Sequence, residues 1–264
     1  MNEENIDNLP DLEDRVRELR DKLRDSKKYK GQILSKPLFR GESNSNWNLE
    51  TTLERYVEKT YSVSAYNRVL TRVAPATSSF TGKEWPLEQH VEIDPEKSSF
   101  YPPNYQFMTH TRHHGFPSPL LDWSRSLYVA LFFAFQNNNE SDSIAIYCYI
   151  ETWGSCAKVT VEGSPIIWPL GPYLNTHKRH FAQQGQYTVA VQNKQKNWEY
   201  CSHQDALDSS KLDTHDFIVK FVMPGSIKTE VLSKLYEMNI NAFTLLGGED
   251  ALMSTLAFGE ITMD

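Results

Sequence analysis

No apolar run in this chain approaches the roughly 20 residues that a membrane-spanning helix needs. The longest, Leu127 to Phe135, is about half that length. Glycine-based phosphate cradles are missing as well: neither a P-loop nor a G-x-G-x-x-G fingerprint occurs. There is no Gly-x-Ser-x-Gly elbow, so nothing marks a hydrolase nucleophile. Histidine and cysteine are scattered. His110-x-x-His113-His114, His177-x-x-His180 and Cys201-x-His203 lack the paired spacing of a structural zinc site, and no metal is expected. The three cysteines, Cys148, Cys156 and Cys201, are odd in number and dispersed, which suits a reducing compartment better than a disulfide framework. The first residues are acidic and no apolar segment follows, so a secretory signal is not expected and a cytoplasmic location is. Positive charge is in deficit: 27 Lys and Arg stand against 34 Asp and Glu, a net charge of -7. That argues against tight non-specific attachment to DNA or RNA, which requires clustered cations, and leaves room only for a local basic groove.

What the chain does have is material for a core. Over 264 residues it is 39% hydrophobic, with six Trp, thirteen Tyr and thirteen Phe. Its densest stretch is His113-His114-Gly115-Phe116-Pro117-Ser118-Pro119-Leu120-Leu121-Asp122-Trp123-Ser124, which opens into the apolar run to Phe135. The prolines hold the backbone extended, and Gly115 permits a turn, so Leu120 to Trp123 reads as a short strand. Ser126 to Phe135 is apolar on nearly every side and predicts a buried helix. Its amide end faces the Asp-Trp-Ser edge, an arrangement suited to an anion. A plainer reading stands beside this one, with Asp122 and Ser124 as helix caps and Trp123 as a core anchor.

These residues resemble the signature of the FRG domain family, a His-x-Gly-x-Pro stretch running into Leu-Leu-Asp-Trp and an alanine-rich aromatic helix. The motif that names the family stands upstream as Phe39-Arg40-Gly41. Trp47-x-Leu49, with Arg55 downstream, and the later Arg179-His180-Phe181-Ala182-Gln183-Gln184-Gly185-Gln186-Tyr187 are also similar to family elements. The chain departs from the family at Ser118-Pro119, where a Thr-Arg pair is usual, at Arg112 and His113, where Gln-His is common, and at Thr52, where proline is frequent. The first departure removes a cation.

Arg40 at a strand end, the Asp122-Trp123-Ser124 junction and the Arg179 to Gln186 element can surround one pocket for an anionic ligand. The layout is similar to that of ADP-ribosyltransferases. It implies an NAD-consuming enzyme acting on a nucleic acid or protein acceptor, of the toxin or phage-defence kind; the alternative is a non-catalytic module binding a nucleotide or nucleic acid. In the catalytic reading Arg40, His114, Asp122, Ser124 and Gln184 act on the substrate. Arg40, Gly41, Trp123, Ser124, Arg179, Gln186 and Tyr187 hold the NAD, with Trp123 or Tyr187 stacking on a ring. No glutamate occupies an evident catalytic position, and Glu260 is the candidate that remains. Equally open is a buried Arg40–Asp122 salt bridge that merely joins two core elements.

The elements predict an α+β architecture, a modest mixed or antiparallel sheet with flanking helices, with the ADP-ribosyltransferase-like variant implied by the layout. Residues 1–30 form an acidic tail and an amphipathic helix, and 31–264 a single domain. Met1 to Pro10 is expected to fray. Leu12, Val16, Leu19 and Leu23 predict a helix from Asp11 to about Lys28 that packs on the domain or meets a partner protein. Strands are predicted at Ile33–Arg40, Ile144–Ile150, Tyr187–Val191, Phe217–Val222 and Ala242–Leu246. Helices are predicted at Trp47–Tyr61, Ser64–Val73, after Ser226, and at Glu249–Leu256. Ala74–Tyr105 reads as a long loop with a short helix near Glu88, Thr152–His177 as irregular, and Gln192–Asp216 as an exposed excursion.

Overall fold

The computed structural model of the protein describes residues 2–26, 33–89, 100–137, 141–153, 162–171, 178–195, 197–208 and 216–263. In chain order the strands are β1 (Asn2–Asn5), β2 (Ile33–Leu34), β3 (Leu38–Glu42), β4 (Leu120–Ser124), β5 (Ser143–Trp153), β6 (Ile166–Leu170), β7 (Gly185–Lys194), β8 (Asn197–Tyr200) and β9 (Asp216–Pro224). The helices are α1 (Leu9–Asp25), α2 (Thr52–Tyr56), α3 (Val63–Thr81), α4 (Tyr105–His113), α5 (Leu127–Gln136), α6 (Lys178–Ala182), α7 (His203–Asp208), α8 (Lys228–Glu237), α9 (Ala242–Leu246) and α10 (Glu249–Ala257). The strands form one mixed sheet in the order β1-β9-β5-β3-β4-β7-β6, with β2 beside β5 and β8 beside β7. β1 runs parallel to β9 and the other pairs are antiparallel, so the α+β architecture is the one expected.

β5 shows why the middle of the sheet is dry. Ile144, Ile146, Cys148 and Ile150 enter one core, while Ala145, Tyr147 and Tyr149 enter the other, so the strand's period of two is buried on both sides. α5 lies across β3, and Gly41 is what lets it do so. A Cβ there would stand 2.0 Å from the Ala130 carbonyl oxygen and 2.9 Å from Ala134 Cβ, so helix and strand meet backbone to backbone. The glycine of the Phe-Arg-Gly motif therefore serves packing, and small residues on the helix complement it.

The sheet is nearly divided in two. β3 pairs with β5 along its whole length, from Leu38–Tyr149 to Glu42–Ala145, but with β4 only at Phe39–Ser124. β4 in turn pairs fully with β7. Beyond that one pair the two central strands diverge and leave an opening in the sheet.

Several elements differ from expectation, each for a local reason. Asn2–Asn5 does not fray, because β9 offers it an edge. Glu4 also pairs with Arg15 and Glu3 with Lys220. α1 buries Leu9, Leu12, Val16, Leu19 and Leu23 in the core that holds α5. The α5 cap is Ser126, whose hydroxyl accepts from the Val129 amide, and not Asp122 or Ser124. Ala242–Leu246 is a helix rather than a strand, closed at its start by an Asn241–Thr244 capping box and at its end by Gly247 at φ 65. α3 runs on to Thr81 and stops at Gly82, φ 68, which shortens the expected loop. No helix stands at Glu88, and residues 90–99 of that stretch lie outside the described residues. Between Trp47 and Tyr61 only Thr52–Tyr56 is helical. β6, β8, α4 and α7 form in stretches whose sequence shows no clear period. No helix in the described residues is long and apolar enough to cross a membrane.

Candidate functional site

The opening between β3 and β4 is a cleft of about 570 Å³, within the usual range for ligand sites. Its walls come from β3 and the loop after it, α2, the end of α4, β4, α5 and the turn before β7. Arg40, Gly41, Asp122, Trp123 and Ser124, all singled out by sequence, line it together although the first and last are far apart in the chain. Glu42, Trp47, Arg55, Arg112 and Gln183 join them.

Arg40 is the clamp across the split. Its Nε donates to Glu42 Oε1 at 2.7 Å, with Nη2 in ion-pair contact with the same oxygen at 2.7 Å, and its Nη1 donates to the Asp122 carbonyl at 3.0 Å. The last bond links β3 to β4 at the point where the ladder between them has ended. The Arg40–Asp122 ion pair weighed from the sequence is thus replaced by a carbonyl contact, and the charge partner is Glu42. Both are nearly sealed from solvent, the side chains 11% and 6% exposed. The signal was present, since residues two apart on a strand share a face and Arg-x-Glu places opposite charges side by side. The Asp122 carboxylate pairs instead with Arg112, Nη2 donating to Oδ2 at 2.5 Å. A cation therefore stands beside Asp122 despite the Ser118-Pro119 departure, supplied by the last turn of α4. Arg112 was not legible as a site residue because α4 was not. Arg55 donates through Nη2 to the Glu50 carbonyl at 3.0 Å and has no carboxylate partner among the described residues. Three arginines against two carboxylates make the cleft cationic within an acidic chain.

Ser124 and Trp123 act behind the cleft surface. Ser124 Oγ donates to the Gln183 carbonyl at 2.7 Å and accepts from the Ser126 amide at 3.0 Å, tying β4 to α5 and to the β7 turn. Trp123 Nε1 donates to Thr188 Oγ1 at 2.8 Å, and the same hydroxyl lies 2.8 Å from His203 Nε2. Full burial, aided by the positive charge of Arg40, pushes His203 down to about 3. The unfolded chain takes up this proton near the ordinary value of 6.5, whereas the folded chain does not until about pH 3. Stability is therefore lost as pH falls through that window. Between pH 7 and pH 5 the wild type should lose roughly 2 kcal/mol more than His203→Gln, measured by urea unfolding at both pH values. Identical pH dependence would mean that His203 takes up its proton in the fold as readily as in the unfolded chain.

The other candidates are placed elsewhere. His114 is exposed at the end of α4, its ring 4.7 Å from that of His110, and does not line the cleft. Arg179 lines a separate groove with Leu246, Gly247 and Gly248. Gln184 sits at φ 49 in the turn before β7, where its carbonyl accepts from the Arg125 amide. Gln186 is buried and bonds the Gly185 carbonyl. Tyr187 is 2% exposed, its hydroxyl 2.7 Å from His113 Nε2. Glu260 is exposed near the C-terminus and away from the cleft. It is the neighbouring Gln183 that reaches the opening, its amide also donating to the Leu245 carbonyl at 3.1 Å. Among the described residues no group of three His, Cys, Asp or Glu side chains is placed to hold a metal. Burial pushes the Cys148 and Cys201 thiols up to about 12. Cys156 and His177 lie outside the described residues.

No curated protein and no solved structure matches the chain. A family model of the FRG domain matches residues 35–143. That segment runs from just before β3 to the start of β5 and holds every residue lining the cleft except Gln183. The arginine of the Phe-Arg-Gly motif, the Asp-Trp-Ser strand and the buried helix are thus one structural unit around one opening, and the chain contains an FRG domain over residues 35–143.

Proposed function

We propose that the cleft between β3 and β4 binds NAD and that the protein transfers its ADP-ribosyl group to a nucleic acid or protein acceptor. The observation that carries this reading is the convergence of Arg40, Arg55 and Arg112 on an opening in the sheet, in a chain that is otherwise acidic. Guanidinium groups bind phosphate oxygens in pairs, which suits a pyrophosphate. In the reaction the bond from the ribose C1′ to the nicotinamide nitrogen breaks, and its electron pair leaves with nicotinamide. The acceptor forms the new bond to C1′ and gives up its proton. The transition state carries positive charge on the ribose and needs positioning and a facing negative group more than a strong nucleophile. Asp122, oriented by Arg112 and with 42% of its side chain exposed, is the carboxylate suited to that task.

A second reading rests on an observation of its own. Both carboxylates of the cleft are already paired with arginines, which fits a module that binds a nucleotide without changing it. Incubation with adenylate-labelled NAD and mixed DNA, RNA and protein separates the two. Transfer of label with release of nicotinamide is the expected result. A rise in melting temperature with NAD recovered intact assigns binding alone, and neither effect in folded protein defeats both readings.

A further inference from the structure

Trp47 is the most exposed aromatic side chain lining the cleft, 48% exposed, where Phe39 and Trp123 are buried and Phe133 is half-buried. The loop is not loose. Before Trp47, Ser45 is buried, its amide donating to the Ser143 carbonyl at 3.0 Å and its hydroxyl 2.6 Å from that of Ser143. The Trp47 amide donates to the Asn44 carbonyl at 3.1 Å, and its carbonyl accepts from the Tyr147 hydroxyl at 2.8 Å. Two residues on, Leu49 is 1% exposed. The backbone is pinned before, at and after the tryptophan, so the indole is held at the wall of the opening while its apolar neighbour is buried. What sets Trp47 apart from the other exposed apolar side chains is its place at the wall of the cleft, where a fixed indole offers a planar face to a ligand.

We propose that Trp47 is the stacking platform for the base of a bound nucleotide and that Arg55, which lines the same cleft, takes a phosphate. This deepens the nucleotide reading of the cleft and rests on it. The two aromatic residues that the sequence offered for stacking do not serve: Trp123 is 4% exposed with its indole N–H committed to Thr188, and Tyr187 does not line the cleft. Arg55 is suited to an incoming anion because its one side-chain hydrogen bond among the described residues goes to a backbone carbonyl, which leaves most of its five donors available. A planar ring on the indole and a phosphate on the guanidinium describe a nucleotide, whereas an inorganic anion would use only the second.

The test compares NAD, AMP and ribose 5-phosphate as ligands of the full chain, by calorimetry. Trp47→Ala should weaken NAD or AMP by roughly 5- to 100-fold, the range for loss of one base–aromatic stack. It should leave ribose 5-phosphate within about twofold, and Trp47→Phe should restore most of the loss. Arg55→Gln should weaken all three alike. A loss confined to NAD assigns the pyridine ring to Trp47 and supports the stack equally. Wild-type protein that binds none of the three overturns the nucleotide reading and this inference with it. Wild-type binding that Trp47→Ala leaves unchanged overturns the inference alone. An unchanged melting temperature for Trp47→Ala, expected for an exposed side chain, shows that the loss is one of binding.

Discussion

Arg40→Ala is expected to cost the folded state about 3–5 kcal/mol, because it leaves the Glu42 carboxylate buried with no counter-charge. It also removes the bond to the Asp122 carbonyl that holds β4 to β3 where their ladder stops. Urea unfolding of the variant measures the cost, and a loss under about 1 kcal/mol would mean that water reaches Glu42 in the fold. Loss of ligand binding by Arg40→Ala alone is therefore ambiguous, since the cleft itself is at risk. A cleaner pair of measurements uses Arg40→Met with Glu42→Met. Replacing both members of a buried ion pair by apolar side chains is often neutral or stabilising. The double variant should keep near wild-type stability and yet lose affinity for NAD, as the hydrogen bonds to Glu42 and Asp122 take two of the five donors of Arg40 and leave the others for a ligand. Undiminished NAD affinity in a stable double variant would assign Arg40 to the scaffold only.

Trp123→Ala should cost about 3–5 kcal/mol by a different route. The indole is buried against Tyr149 with ring centres 5.6 Å apart, and its removal leaves a cavity between β4 and β5. It also takes a donor from Thr188, whose hydroxyl bridges the indole and His203. Trp123→Phe separates the two effects: most of the apolar contact returns and the hydrogen bond does not, so about 1–3 kcal/mol of the loss should persist. A melting temperature for Trp123→Phe equal to that of the wild type would show that the bond to Thr188 contributes nothing. Because Trp123 is only 4% exposed, binding to correctly folded Trp123→Phe should stay close to normal, in contrast to Trp47→Ala.

The sequence by itself determined the elements whose pattern is local. α1 and β5 follow from periodic burial, and β4 and α5 from the proline-fixed strand and the all-apolar run, because each such pattern has one way to hide its apolar side. Arg40, Asp122, Trp123 and Ser124 were legible for the same reason: polar and aromatic groups crowded at the ends of buried elements. What only the tertiary structure decided is who meets whom. That Arg40 pairs with Glu42 and gives Asp122 a mere carbonyl contact, that Arg112 takes the Asp122 carboxylate, and that Gln183 rather than Gln184 or Gln186 reaches the opening all depend on where β3 parts from β4. That parting joins residues 82 positions apart, and no local period encodes it. The same holds for Trp47. Its exposure follows from the anchoring of its loop to β5, a strand about 100 residues later, which the preferences of the loop alone could not specify.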